Sequence, residues 1–313
     1  MTRFVEDLRQ VFGDRVQPGE LLAPLTTFKV GGPADVLVTL DRADELKRAV
    51  MLARDQGVPV TVIGGGSNLL IADHGIRGLV IRMRGGEVRQ IDPGRIRADA
   101  GVTINGLVRW TIAHGLAGLE AWAGTPGTVG GAIYGNAHFQ GRNISDLVDA
   151  VCLMSREGRI HDASVADMEF AYDYSRLHRT GEIVVSADFR VVSGDPDRLR
   201  ATARESLGYR KRTQPLANAS AGCIFQNPRP DRDTLPAEIP WSAGALVDRA
   251  GLKGAREGQA RVSPTHGNFI VNEGSASAGE VRELIERCKR DVYQKFGVQL
   301  REEIVSMGFG TED

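Results

Sequence analysis

The sequence predicts an α+β protein of two or three domains. Three observations carry this. The chain has 313 residues, more than one ordinary core accommodates. Residues 41–83 read as helix, strand, glycine loop and strand. Short strands then dominate from Val148 to Val192, and the chain closes on one long helix and a last strand.

In order along the chain, Asp41 is expected to cap a helix over Arg42–Asp55, with Leu46, Ala49, Val50 and Ala53 at i, i+3, i+4, i+7 spacing. The strand "VTVI" (60–63) follows, then "GGGSN", then the strand "GLVIRM". Ile104, Leu107, Val108, Thr111 and Ile112 mark a second helix. "AVCLMS" and "IVVSADFRVV" read as strands, with "SREGRI" a turn. "ESLGYRKRTQPLANAS" reads as a boundary: basic, then Pro215, then small polar residues. The last helix is expected over Ala278–Phe296. Ser277 and Glu280 suit a capping box, and Val281, Leu284, Ile285, Cys288 and Val292 suit a buried stripe. A final strand is expected over Gln299–Met307.

Composition narrows the function. At 42% hydrophobic and 25% charged residues the chain reads as globular. A formal charge of -1 gives no reason to expect nucleic acid or an anionic membrane as partner. No apolar run approaches the ~20 residues of a membrane span. The opening "MTRFVEDLRQVFG" lacks the apolar stretch of a signal peptide. Cys152, Cys223 and Cys288 are odd in number, far apart and without CxxC spacing, so neither zinc nor a disulfide framework is expected. The expected setting is a reducing cytoplasm.

The 38 glycines are about 12% of the chain, against a usual ~7%, and they cluster. One cluster is Gly64, Gly65, Gly66, Ser67 and Asn68. The other is "AGTPGTVGGAIYGNAHFQG", which holds Gly124, Pro126, Gly127, Gly130, Gly131, Ala132 and Asn136. Neither matches GxGxxG after a strand, and neither ends in Gly-Lys-Ser/Thr. Both leave backbone N–H groups open to close approach by a phosphate, and both also suit plain tight turns.

Seven blocks occur in order: "TTFKVGGPADVLV", "VIGGGSNLL", "GLEAWAGTPGTVGGAIYGNA", "SAGCIFQNP", "AGALVDRAGLKG", "VSPTHGNFIVN" and "GVQLREEIVSMG". Together they resemble the UDP-N-acetylenolpyruvoylglucosamine reductase family, in its shorter type II form, over nearly the whole chain. The resemblance implies an FAD-binding fold of the vanillyl-alcohol oxidase/cresol methylhydroxylase type, with two α/β subdomains (1–82 and 83–212). An α+β substrate domain (213–313) follows. It implies non-covalent FAD on the two glycine clusters, and the first cluster has no histidine to attach a flavin. It implies NADPH as reductant and an enolpyruvyl UDP-sugar as substrate, in peptidoglycan precursor synthesis.

That chemistry asks for a cation and a hydrogen-bonding acid to stabilise an aci-carboxylate, and a second acid to deliver a proton. By resemblance these are an arginine, a glutamate and a serine. Cys223 stands at the serine position; a thiol is mostly protonated at neutral pH and is the stronger acid. Glu303 matches the last residue of the family's Leu-Glu-Pro-Glu strand, where this chain has Leu300, Arg301, Glu302 and Glu303. The arginine position holds Asp173, so Arg176, or Arg179 beyond it, is the candidate cation. Arg210 to Arg212, with Arg212 the chosen residue, are candidate contacts to the UDP phosphates, and Lys253, His266 and Asn268 are candidate substrate contacts with structural roles equally open. Two other readings remain: a flavin-dependent oxidase of sugars or alcohols, and an impaired binding protein that lost its arginine.

Overall fold

A computed structural model describes residues 1–310. The chain divides into two compact units. The first comprises residues 1–20, 35–65 and 78–209; the second comprises 21–34, 66–77 and 210 onward. Contiguous domain ranges therefore miss two segments, 21–34 and 66–77, which pack with the C-terminal part. The reason lies in strand order. Val60–Ile63 pairs in parallel with Leu79–Arg82, and parallel neighbours need a crossover connection instead of a hairpin. Residues 66–77 lie in that connection, and they fold into the second unit.

Two hydrophobic cores lie within the first unit. One is built from Phe4, Leu8 and Phe12 of the helix Thr2–Phe12, from Leu46, Ala49, Val50 and Ala53 of the helix Ala43–Asp55, and from Val36, Val38, Leu79 and Ile81 of the sheet. Its sheet runs Val16–Pro18, Ala34–Leu40, Ile76–Met83, Val60–Ile63. The second helix starts at Ala43, with Arg42 at its N-cap making no side-chain cap bond, so Asp41 is not the cap. Arg42 is drawn instead to Asp44 at 2.9 Å.

The other core lies on a five-stranded antiparallel sheet, ordered Ile160–Ser164, Val148–Met154, Ile183–Arg190, Arg95–Asp99, Val88–Asp92. The helices Ile104–Ala113 and Val129–Tyr134 contribute Leu107, Val108, Val129 and Ile133 to it, and Trp122 is buried there. Thr103 and Thr128 cap these helices by accepting from Gly106 and Gly131.

In the second unit the strands Arg256–Glu257, Ala260–Val262 and Ile270–Asn272 form an antiparallel sheet, and the helix Ala278–Phe296 buries its expected stripe in the same core. Both halves of the Ser277/Glu280 capping box form. Asp73, from the crossover, accepts from the N–H groups of Ala278 and Gly279 at 2.8 and 2.9 Å, so the helix start holds the inserted segment. Leu69–Ile71 adds a parallel pairing with Val305–Met307. That pairing is all the regular strand the C-terminal segment forms, shorter than the expected Gln299–Met307. Ahead of it Glu302 turns to the helix and accepts from Arg282 at 2.7 Å and Lys289 at 2.5 Å. Burial alone would raise the Glu302 carboxyl; the two cations outweigh it and hold it below its ordinary value.

Two predictions follow from the second unit's packing. Gly75 has φ +81°, and a Cβ there would run into the Pro33 carbonyl. Gly75→Ala is expected to destabilise the protein by ~2–4 kcal/mol in chemical denaturation, and a loss under ~1 kcal/mol would contradict the tight crossing. Glu302→Gln is expected to lower stability by about 1–3 kcal/mol at neutral pH. A carboxyl depressed in the folded state stabilises above its unfolded value and loses that contribution as pH falls through the folded one. The melting-temperature gap between parent and variant is therefore expected to be full at pH 6–8 and to close below about pH 4; a gap independent of pH would refute the ion pair.

Candidate active site

The start of the first glycine cluster, Gly64 and Gly65, meets the second cluster within the first unit. A Cβ on Gly64 would strike Thr128 Oγ1, and one on Gly65 would lie 2.8 Å from Gly127 Cα. Only glycine lets these backbones pass so close. Gly124 (φ +82°) and Gly127 (φ +98°) take left-handed turns on either side of Pro126. Asn105 fixes this loop, accepting from Gly124 N at 2.7 Å and donating to Thr125 O at 3.2 Å. Gly130 passes tightly by Ala100, Gly131 donates to the capping Thr128, and Ala132 is buried in the core. The pair of loops presents backbone with few side chains, the surface a dinucleotide's pyrophosphate needs.

Asn136 closes the segment in a left-handed conformation, φ +45°. Its side chain is fully engaged: Nδ2 donates to Ala171 O at 2.8 Å and Oδ1 accepts from Ser145 N at 3.2 Å. It acts as a latch between loops. The turn it holds contains Asp173, at φ +52°, whose side chain is 9% exposed and stands 3.0 Å from His138 Nδ1. Arg176 is committed elsewhere. Glu182 takes its Nε and Nη2 at 3.0 and 3.1 Å, and Nη1 donates to Asp167 O. Arg179 pairs with Glu169 on the surface.

Of the first cluster, Gly66, Ser67 and Asn68 belong to the second unit. Gly66 (φ +62°) abuts the Leu25 carbonyl, and its own carbonyl accepts from Thr27 N at 3.0 Å. Ser67 O lies 3.4 Å from Thr27 Oγ1. Asn68 donates to Glu303 O at 3.0 Å.

The same unit brings the segment of Cys223 beside the segment of Glu303. Glu303 N donates to Ile224 O at 2.8 Å, Gln226 N donates to Arg301 O at 2.9 Å, and Phe225 bridges Glu302. Asn268, 3% exposed, grips this segment with both ends of its amide, accepting from Phe225 N at 2.9 Å and donating to Phe225 O at 2.7 Å. It positions the irregular segment that carries Cys223. His266 Nδ1 accepts from Asn268 N at 3.2 Å, and burial together with Lys253 holds the ring below its ordinary pKa. Lys253 itself pairs with Asp248 at 2.8 Å.

Arg212 is exposed, whereas Arg210 is 6% exposed and interacts electrostatically with Cys223. Burial pushes the Arg210 guanidinium down to about 10, against a partial offset from Cys223. The sequence offers Arg210 to Arg212 alike as phosphate contacts, in a segment that reads as a boundary. It is the end of the helix Pro196–Thr213, and the spacing of Leu199, Ala203, Ser206 and Arg210 marks the buried face. Cys152 lies on a strand, and Cys288 is buried, its thiol pushed up to about 12.

Known proteins resemble the chain along nearly its full length. Residues 214–307 match the C-terminal domain of UDP-N-acetylenolpyruvoylglucosamine reductase, and residues 34–164 match an FAD binding domain. UDP-N-acetylenolpyruvoylglucosamine reductase 1 of Bacillus anthracis is 37% identical over 311 residues, covering 98% of this chain and 100% of that one. The reductase of Heliobacterium modesticaldum is 39% identical over 310 residues, covering 98% and 94%. The crystal structure of the Thermus caldophilus enzyme superposes with a TM-score of 0.77 at 36% identity, covering 94% and 99%. The cofactor is FAD, which suits the side-chain-free cradle of Gly64, Gly65 and Gly127. The chain belongs to the UDP-N-acetylenolpyruvoylglucosamine reductase family, the flavoprotein oxidoreductases of peptidoglycan precursor synthesis.

Proposed function

We propose that the chain oxidises NADPH and reduces UDP-N-acetylglucosamine enolpyruvate to UDP-N-acetylmuramate, with Cys223 as proton donor. Bound FAD supplies the hydride relay between the two substrates. The protein's share is to hold the flavin, orient the enolpyruvyl group, stabilise charge and deliver a proton. Hydride addition at the enol methylene carbon pushes an electron pair toward the carboxylate-bearing carbon, and a proton must reach that carbon. Cys223 gives it, and the thiolate left behind regains a proton from solvent. Glu303 is the acid that hydrogen-bonds the developing aci-carboxylate. Arg212, exposed at the end of its helix, forms with Arg210 and Lys253 the cation set assigned to a diphosphate in the second unit. A cytoplasmic location accompanies this reading; no cysteine forms a disulfide, and no helix among the described residues is long and apolar enough to cross a membrane.

The observation that supports the proposal is the Ile224–Glu303 backbone hydrogen bond, which joins the residue after Cys223 to Glu303 across some eighty residues of chain. Cys223→Ala is expected to leave flavin reduction by NADPH intact and to slow reoxidation by the enolpyruvyl sugar by about 10²–10⁴-fold, the range of a general acid. Cys223→Ser is expected to recover much of that rate. Parent-rate reoxidation in Cys223→Ala would reduce the cysteine to packing. The flavin is expected to be held without a covalent bond: acid or heat should release all of it to the supernatant, and yellow colour kept by the precipitated chain would refute this.

A further inference from the structure

We propose that His138, oriented by Asp173, is the cation that faces the substrate carboxylate. This rests on the reductase reading above. A carboxylate is the wrong group to meet a developing anion, so Asp173 can serve that chemistry only through a positive partner. The structure supplies one: His138 Nδ1 lies 3.0 Å from Asp173 Oδ1. The two side chains are 27% and 9% exposed, which leaves the imidazole the more accessible member. With Nδ1 turned to Asp173, the other ring nitrogen lies on the far side of the ring, directed away from the carboxylate. The ring of Tyr172 sits 4.9 Å away and borders the charge.

The arrangement is built at some expense. Asp173 occupies a left-handed conformation at φ +52°, and its Oδ2 is buried without a hydrogen-bond partner among the described residues. The buried oxygen without a partner disfavours a bare carboxylate there, and a cation at Oδ1 offsets that cost. The loops carrying the pair are locked to each other, because Asn136 holds both the Ala171 carbonyl and Ser145 N. Asn136 ends the glycine segment that forms half of the flavin cradle, and His138 follows two residues later. The nearby arginines are already neutralised, Arg176 by Glu182 and Arg179 by Glu169. The pair thus does the work of a single guanidinium with two short side chains from separate loops.

The test uses the FAD-loaded enzyme and two ligands that differ in one carboxylate. His138→Gln is expected to weaken binding of UDP-N-acetylmuramate about tenfold or more by calorimetry, and to leave UDP-N-acetylglucosamine, which lacks the lactyl carboxylate, within about twofold. It is also expected to slow flavin reoxidation by the enolpyruvyl substrate by roughly 10²-fold, the scale of one lost transition-state donor. His138→Lys should regain part of that rate, as should Asp173→Arg combined with His138→Gly. Asp173→Asn should slow reoxidation as well. FAD content and melting temperature show whether each variant is folded; if His138→Gln loses its flavin, Asp173→Asn carries the test. Unchanged affinity for UDP-N-acetylmuramate together with parent-rate reoxidation in either variant overturns the proposal. Equal losses for both ligands also overturn it. A parent enzyme that the enolpyruvyl substrate cannot reoxidise refutes the reductase reading itself, whatever the histidine variants do.

Discussion

One backbone hydrogen bond, from Glu303 N to Ile224 O, organises the second unit's chemistry. It forms between two segments that make almost no regular sheet, so its geometry depends on what clamps each side. Asn268 holds the first segment through Phe225, using both ends of a buried amide. Asn68 and Glu302 hold the second, one at the Glu303 carbonyl and the other through Arg282 and Lys289. Each clamp satisfies polar groups that burial would otherwise leave unpaired, so each is stabilising and restrictive at once. Side chains carried on such a frame, Cys223 and Glu303 among them, start from backbone with little freedom to wander.

The first unit solves a different problem, the close passage of two glycine-rich loops. Here the controlling quantity is the volume of one methyl group. Side chains at Gly64 or Gly65 would meet Thr128 or Gly127, so the two loops can lie together only as bare backbone. The nearby polar side chains, Asn105 and Asn136, spend their hydrogen bonds on loop backbone. They shape the cradle, and the backbone lines it.

Local signals were legible in the sequence. The Ser277/Glu280 capping box and the stripe from Val281 to Val292 are written within a few residues, and the helix spans the range the pattern predicts. The glycine clusters stood out for the same reason. Features set by tertiary contact were hidden. Asp41 looks like a cap, yet the helix starts one residue later and Asp44 takes up Arg42. Segment 66–77 lies in the crossover of a parallel strand pair and segment 21–34 between two antiparallel strands; both belong to the second unit, and no local pattern marks that. Arg210 and Arg212 differ by two residues and look alike in sequence; helix phase buries the first and exposes the second. Asp173 announced that an arginine was missing. Its partner His138 lies thirty-five positions earlier, in a loop that only folding brings alongside.

Rapid mixing in the absence of oxygen tests the whole account most directly. The parent enzyme is first reduced with one equivalent of NADPH and then mixed with UDP-N-acetylglucosamine enolpyruvate. The account predicts that the flavin's oxidised absorbance returns without oxygen and that UDP-N-acetylmuramate forms in equal amount. Flavin that stays reduced until air is admitted would contradict it.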